Sequence, residues 1–294
     1  MVRFSLKQIE YFRAVMETGS VSGAAALLNV SQPNVSRMLK YTESRLGTEL
    51  FERRHGRLIP KPEAHAIFRE VQALHSHLES LQESVAHIVS GRSGRLAVGT
   101  SPSLGRFVVP SALSMLRREF PALPVKLDIL SMSQVVDYLL YDQGDCACTI
   151  FPILHPRIES EPFAAGALVC AVPAGHRLDG DAVIAPVDLV REPLIGFDPN
   201  TPHGQVVTQF FGEEGLAPTI TSTVRFAESA CALAEQGQGV ALVDEFTLSG
   251  NAFPRLASLR VKFRQPFRIY FHRASQRPLS APAARFRDLI AHWK

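Results

Sequence analysis

Cysteine is scarce in this 294-residue chain: there are four, at Cys146, Cys148, Cys170 and Cys231. One CxC pair and two singletons are too few for a disulfide framework. The CxC lies in DCACTI, which reads as a buried strand whose successive side chains face opposite sides. Core thiols are one reading of it and a metal or redox pair the other. Long apolar runs are missing too. The longest, around residues 163–175, is roughly a dozen residues, is broken by glycine and proline, and is too short to cross a bilayer. No HExxH, P-loop or GxSxG stands anywhere in the chain, so the common metalloprotease, nucleotide-binding and serine-hydrolase signatures are absent. The opening MVRFSLKQIEYF puts charges where a secretory signal needs an apolar core, and the chain reads as cytoplasmic with no membrane partner. What is present is the balance of a folded protein, 46% hydrophobic and 20% charged, long enough for two or three domains.

Charge is spread unevenly. Residues 1–62 carry a net +5, whereas the remainder carries a net −2. A small basic module ahead of a near-neutral body points to nucleic acid as one partner.

Three helical patterns fill residues 5–46. Apolar residues at Leu6, Ile9, Phe12 and Val15 space the first. Gly19-Ser20 ends it, with Ser20 as N-cap of a short alanine-rich second helix. Asn29-Val30-Ser31 is a turn. The third helix starts at Gln32-Pro33, with Ser31 as N-cap and proline in the first turn, and stops at Gly47. Two helices about a tight turn, the second opening on small polar residues, make a helix-turn-helix. Its recognition helix would present Ser31, Gln32, Pro33, Ser36, Arg37 and Lys40 to double-stranded DNA. Gln32 suits an adenine edge, and Arg37 a guanine or a phosphate. A generic helical hairpin is the competing reading. Residues 50–60, LFERRHGRLIP, have short apolar ends around a basic glycine-containing turn. That is a β-hairpin wing, with Arg53, Arg54 and Arg57 placed for phosphate or the minor groove.

AALLNVSQPNVSRMLKYTESRLGTELFERRHGRL resembles the DNA-binding signature of LysR-type transcriptional regulators. The family's usual Thr-x-x-Gly after the wing is replaced here by Lys61-Pro62-Glu63-Ala64. The resemblance implies an N-terminal winged helix-turn-helix (1–61), a long linker helix (62–91) and a C-terminal α/β effector domain (92–294) of periplasmic-binding-protein type. In that domain subdomain I would span about 92–162 and 268–294, and subdomain II about 163–267. The two crossovers would lie near 161–164 and 266–270, with the last helix returning to the first subdomain. The segments IEYFRAVMETGSVSGAAALL and SACALAEQGQGVALVDEFTLSG are most like the branch holding the lysine-biosynthesis and opine-catabolism regulators.

From Pro62 one helix reads through to about Ser90. Ile67, Val71, Leu74, Leu78, Leu81, Val85 and Ile88 follow alternating steps of four and three, an a/d seam expected to pair with a second chain. An amphipathic helix lying on its own domain is the alternative. Ser90–Gly94 (SGRSG) reads as a hinge. The family resemblance further implies homodimers assembling to homotetramers, and RNA polymerase as a partner.

Beyond Gly94, strands alternate with helices as β-α-β-α-β, which predicts a parallel sheet, and a second such set follows. Ligands of such sheets sit at the carboxyl ends of strands. Four loops there supply Ser101 and Ser103, Ser131, Met132 and Ser133, then Pro202, His203 and Gly204, and finally Asp244. The resemblance and these loops together suggest a small zwitterion, an amino acid or derivative. Its carboxylate would sit on Ser101, Ser103 and the helix start behind them. Its ammonium would sit on Asp244 first or Glu228 second. For each serine simple helix capping competes, as it does for Asp244. No cofactor and no metal are expected. A helix-turn-helix enzyme would need a nucleophile, base or metal set that the isolated His155, His176 and His203 do not supply. A thiol-based redox regulator working through Cys146 and Cys148 is the remaining alternative.

Overall fold

The computed structural model describes residues 4–54, 57–89, 95–180, 183–263 and 267–293. It gives backbone alone at Arg53, Arg54, Arg57 and, in the linker helix, at 73, 76, 77, 79–81, 83, 84 and 86–89. Two compact units result, residues 1–91 and 92–294. The expected hinge at 90–94 lies outside the described residues.

The first unit opens with α1 (Leu6–Thr18), α2 (Val21–Leu27) and α3 (Gln32–Leu46). Their ends follow from local chemistry. The Ser20 hydroxyl accepts the Gly23 N–H at 3.0 Å. Gly19 and Gly47 close α1 and α3 at φ +66° and +67°, where a side chain would be strained. Asn29 makes the turn at φ +54°, a conformation asparagine tolerates better than most residues. Leu6 corrects the sequence reading: it is 76% exposed, while Tyr11, Phe12, Ala14 and Val15 face inward. A strict three-residue step drifts about 60° around a helix each time, so three steps carry Leu6 to the face opposite Val15.

The hairpin β1 (Phe51–Arg54) and β2 (Arg57–Pro60) pairs antiparallel, with Arg54 opposite Arg57 at the tip. Glu43 of α3 anchors it by accepting the N–H groups of Leu50 and Phe51 at 2.8 and 3.1 Å. The linker helix is α4 (Pro62–Val89), starting at the proline despite the altered motif. Its first turns do not follow the pairing expectation. Ala64 and Val71 are buried with Phe12 and Leu50, and Ile67 packs beside them, so this end of the seam belongs to the unit's own core.

The second unit has two lobes. Lobe I takes β3 (Leu96–Thr100), α5 (Pro102–Gly105), α6 (Val108–Glu119), β4 (Val125–Ile129), α7 (Met132–Leu140), β5 (Cys146–Thr149) and β6 (Ile158–Gly166). Lobe II takes β7 (Leu168–Pro173), α8 (Pro186–Leu189), β8 (Leu194–Phe197), α9 (Pro202–Gly212), β9 (Ile220–Val224), α10 (Ala227–Glu235), β10 (Val240–Asp244), α11 (Glu245–Leu248) and β11 (Leu256–Arg260). The chain then returns to lobe I with β12 (Phe267–Ala274) and α12 (Ala281–Ala291), which packs on α6. The sheet orders are β4-β3-β5-β12-β6 and β11-β7-β10-β8-β9.

Both sheets are mixed rather than parallel. β3 runs parallel to β4 and β5, but β12 is antiparallel to β5 and β6. In lobe II, β8 is parallel to β9 and β10, while β7 is antiparallel to β10 and β11. The antiparallel strands are those that carry the chain between lobes. Residues 161–164 and 267–270 lie inside paired β6 and β12, so the first exchange falls later than expected, at 166–168, and the second earlier, between 260 and 267. A register slip between Arg268 and Tyr270 gives β6 one extra residue there. One apolar cluster runs through both lobes.

Candidate functional site

In the first unit, α3 divides its residues cleanly. Val35, Leu39 and Thr42 are buried, and Gln32, Pro33, Asn34, Arg37, Lys40, Tyr41 and Arg45 are exposed, with Ser36 between. Ser31 stands at the N-cap without a side-chain capping bond, so its hydroxyl is uncommitted. Arg37 and Lys40 have no hydrogen-bond or ion-pair partner among the described residues, so both solvated cations are free to meet a polyanion. Tyr41 and Arg45, one and two turns beyond Arg37, extend the same face. Arg45 donates to the Tyr41 hydroxyl at 3.1 Å and lies 5.8 Å over its ring. The i, i+4 spacing could have flagged both. The hairpin tip places Arg53, Arg54 and Arg57 by backbone; their side chains lie outside the described residues.

In the second unit a cavity of about 130 Å³ opens between the lobes. Ser101, Ser103, Ser131 and Met132 line it from lobe I, and Pro202, His203 and Glu228 from lobe II. Seven of the ten expected effector residues therefore meet, while Ser133, Gly204 and Asp244 do not line it. Ser133 bonds the Ser131 hydroxyl at 3.1 Å, and that hydroxyl also donates to Gln134 at 2.7 Å, so this pair is spent on its own helix start. Gly204 is there for space: a Cβ would sit 2.0 Å from the Asp198 carbonyl oxygen.

Asp244 is the main correction. It is fully buried and caps α11, its carboxylate accepting the Thr247 N–H at 3.1 Å and the Thr247 hydroxyl at 2.9 Å. It also accepts Ser103 Oγ across the lobes at 3.0 Å, and His203 Nε2 lies 3.2 Å away without hydrogen-bond alignment. A carboxylate with that many donors is a structural fastener, not a vacant partner for a ligand. His203 is held by rings as well, stacked on Phe197 at 4.8 Å and flanked by Phe151 and Phe267.

Four atoms in this lining are buried without a hydrogen-bond partner from another residue: Ser101 Oγ, His203 Nε2 and both carboxylate oxygens of Glu228. Burial raises the Glu228 carboxyl to about 7. Its own main-chain N–H pulls it down, the charge of Asp244 pushes it up, and His203 and Arg106 pull it down. Arg225, which the sequence reading missed, lines the rim and lies 5.3 Å over the Phe226 ring. It follows β9, whose carboxyl end was left out of the loops first considered.

The cysteines give no site. All four are buried and free, and Cys146 and Cys148 share one face of β5 because residues two apart do. Burial pushes all four thiols up, to about 12 for Cys170, which disfavours the reactive thiolate. Among the described residues no group of three or more His, Cys, Asp or Glu could hold a metal ion, and no helix is long and apolar enough to cross a membrane.

A winged helix-turn-helix with a bare cationic recognition face, followed in the chain by a two-lobed body with a largely apolar interlobe cavity that carries a few polar groups, defines a ligand-responsive DNA-binding regulator. The chain belongs to the LysR-type transcriptional regulators. Residues 6–65 match the model for bacterial regulatory helix-turn-helix proteins of the lysR family, and residues 90–294 the LysR substrate binding domain. It is 29% identical over 283 residues to the transcriptional activator protein LysR of Escherichia coli (strain K12), covering 96% of this chain and 90% of that one. It is 31% identical over 240 residues to the octopine catabolism/uptake operon regulatory protein OccR of Rhizobium meliloti, covering 82% and 80%. The fold matches the crystal structures of the LysR-family regulator CbnR, alone and complexed with target DNA, at TM-scores of 0.74 and 0.73. Each covers 97% of this chain and 98% of that one, at 23% identity.

Proposed function

We propose that the protein regulates transcription from promoter DNA bound as a dimer, paired along α4 and further assembled to a tetramer, in answer to an amino acid or amino-acid derivative held between the lobes. In this reading Ser31, Gln32, Pro33, Ser36, Arg37 and Lys40 enter the major groove, Arg53, Arg54 and Arg57 hold the flanking backbone, and RNA polymerase is the downstream partner. The unpartnered Glu228 carboxylate facing Ser101 across the cavity carries the effector assignment. Two buried oxygens with no donor from any other residue call for a cation that brings several N–H groups, which an ammonium does. Ser101 and the start of α5 then take the carboxylate. Relatives support the class: OccR is named for octopine, an amino-acid conjugate.

The DNA half is tested by selecting bound sites from a random duplex library and titrating them. Arg37→Ala should lose about 1–3 kcal/mol and relax sequence preference at one position. Arg53→Ala should weaken all sequences alike and reduce the slope of log affinity against log salt by about one. A wild-type chain that enriches no sequence overturns the assignment.

The effector half has a pH signature. A carboxyl that titrates near 7 in the empty cleft must ionise to meet an ammonium, so binding releases a proton. Apparent affinity should fall about tenfold per unit as pH drops below 7. The raised value also means that Glu228 favours folding while protonated, and that this contribution is lost as pH rises through about 7 in the empty protein. Calorimetric titration of amino acids in buffers of different ionisation enthalpy reads the proton, and Glu228→Gln should abolish both its release and the pH dependence. Binding that is flat from pH 5.5 to 8 argues against Glu228 as the ammonium partner.

A further inference from the structure

The cavity that holds Glu228 is small for a whole effector. At about 130 Å³ it falls below the roughly 300 Å³ at which small-molecule pockets usually begin. A second chamber of about 260 Å³ shares the wall formed by Ile150, Phe151 and Pro202. Together they reach that range. The second chamber differs in charge. Among the described residues Arg268 is the one charged side chain on its lining, accompanied by Tyr270, Gln205 and Gln209, and no acid faces in. Arg268 has no ion-pair or hydrogen-bond partner among the described residues. The Tyr270 hydroxyl has none either, while its ring is held against His272 at an interplanar angle of 13°. Both residues stand on β12 at the register slip with β6, within the lobe I sheet and a few residues after the chain returns from lobe II. A free guanidinium and a free phenol beside two amides form a receptor for a carboxylate.

Resting on the reading of Glu228 as the ammonium partner, we infer that the effector spans both chambers and is an amino acid with an acid-terminated arm. Its ammonium meets Glu228 in the first chamber, and its arm runs past Phe151 and Pro202 to end on Arg268 and Tyr270. A neutral amino acid of the same length fills the first chamber but leaves Arg268 unmet, so it is the weaker ligand.

Two probe pairs differ only in a terminal methyl against a carboxylate: L-norvaline with L-glutamate, and L-norleucine with L-2-aminoadipate. Titrated into the full-length protein, the acidic member of at least one pair should bind tenfold or more tightly than its neutral partner. Arg268→Met should erase that preference while leaving affinity for the neutral probe and the melting temperature as in wild type. Tyr270→Phe should reduce it severalfold. Equal or tighter binding of the neutral member in both pairs overturns the inference, as does an Arg268→Met protein that keeps the preference. The underlying reading is checked separately with glutarate, which lacks the amine. If glutarate binds as tightly as glutamate while Arg268→Met weakens both, the Glu228 assignment fails and the Arg268 site stands. If no probe binds, both fail.

Discussion

Replacing Leu78 and Val85 with aspartate should turn the protein into a monomer at micromolar concentration and weaken operator binding by at least a hundredfold. The helix α4 runs 28 residues, about 42 Å at 1.5 Å per residue. The apolar seam along it serves two masters. Its first members, Ile67 and Val71, pack against Phe12 and Leu50 of the same unit. Beyond them Leu74, Leu78 and Val85 are 43%, 49% and 49% exposed in the single chain. An apolar row with a 3.5-residue period is what a second helix would cover in a coiled coil. Four aspartates per dimer in that seam would be desolvated with no partner, at a cost of several kcal/mol. The DNA effect follows from geometry, because separating two reading heads removes the effective concentration that makes the second head bind, commonly worth about 10²–10⁴ in affinity. Sedimentation equilibrium and operator titration of the same preparations check it. A double variant that still sediments as a dimer would move the interface elsewhere.

The contrast between the two ends of that seam shows what the sequence made legible. Periodicity identifies an apolar stripe but not its partner. Ile67 and Val71 carry the same signature as Leu78, and only the position of Phe12 and Leu50 assigns them to the home domain. Elements closed by local chemistry were legible: Ser20, Gly19 and Gly47 stop or start helices wherever the rest of the chain goes, and α2, α3 and the hairpin fall within a residue or two of expectation. Strands defined by their neighbours were not. IESEPFAAG (β6) has a proline, two acids and no alternation, and it is a strand because β12 offers it a partner along most of its length. For the same reason a parallel sheet was expected where β12 enters from the other lobe and runs antiparallel. The effector loops were legible as a set, since strand ends converge in such folds. Which acid points inward was not, because the apolar strand before Asp244 made it the first candidate, while Ser103 and His203, which set its surroundings apart from those of Glu228, come from segments distant in the chain.

That difference gives the second large expectation. Asp244→Ala should cost about 3–5 kcal/mol and lower the melting temperature of the effector unit by roughly 10 °C. The carboxylate ties three segments that are distant in the chain. It caps α11 through the Thr247 N–H and hydroxyl, accepts Ser103 Oγ from α5 of the other lobe, and faces His203 of α9. Removing it leaves two buried hydroxyls and one main-chain N–H without their acceptor. Each such loss is worth about 1–3 kcal/mol, and a lost N-cap alone costs about 1 kcal/mol. Asp244→Asn should fall between wild type and alanine. An amide oxygen can still cap Thr247, while Ser103 loses its charged acceptor and can at best accept from the new NH₂. Ser103 and His203 also line the cavity, so ligand affinity should fall together with stability rather than independently of it. Thermal unfolding of the two variants, with and without a saturating amino acid, separates the roles. A fastener gives the order wild type, asparagine, alanine in the absence of ligand. A direct ammonium partner would instead leave the ligand-free asparagine variant as stable as wild type and remove only the ligand-induced rise.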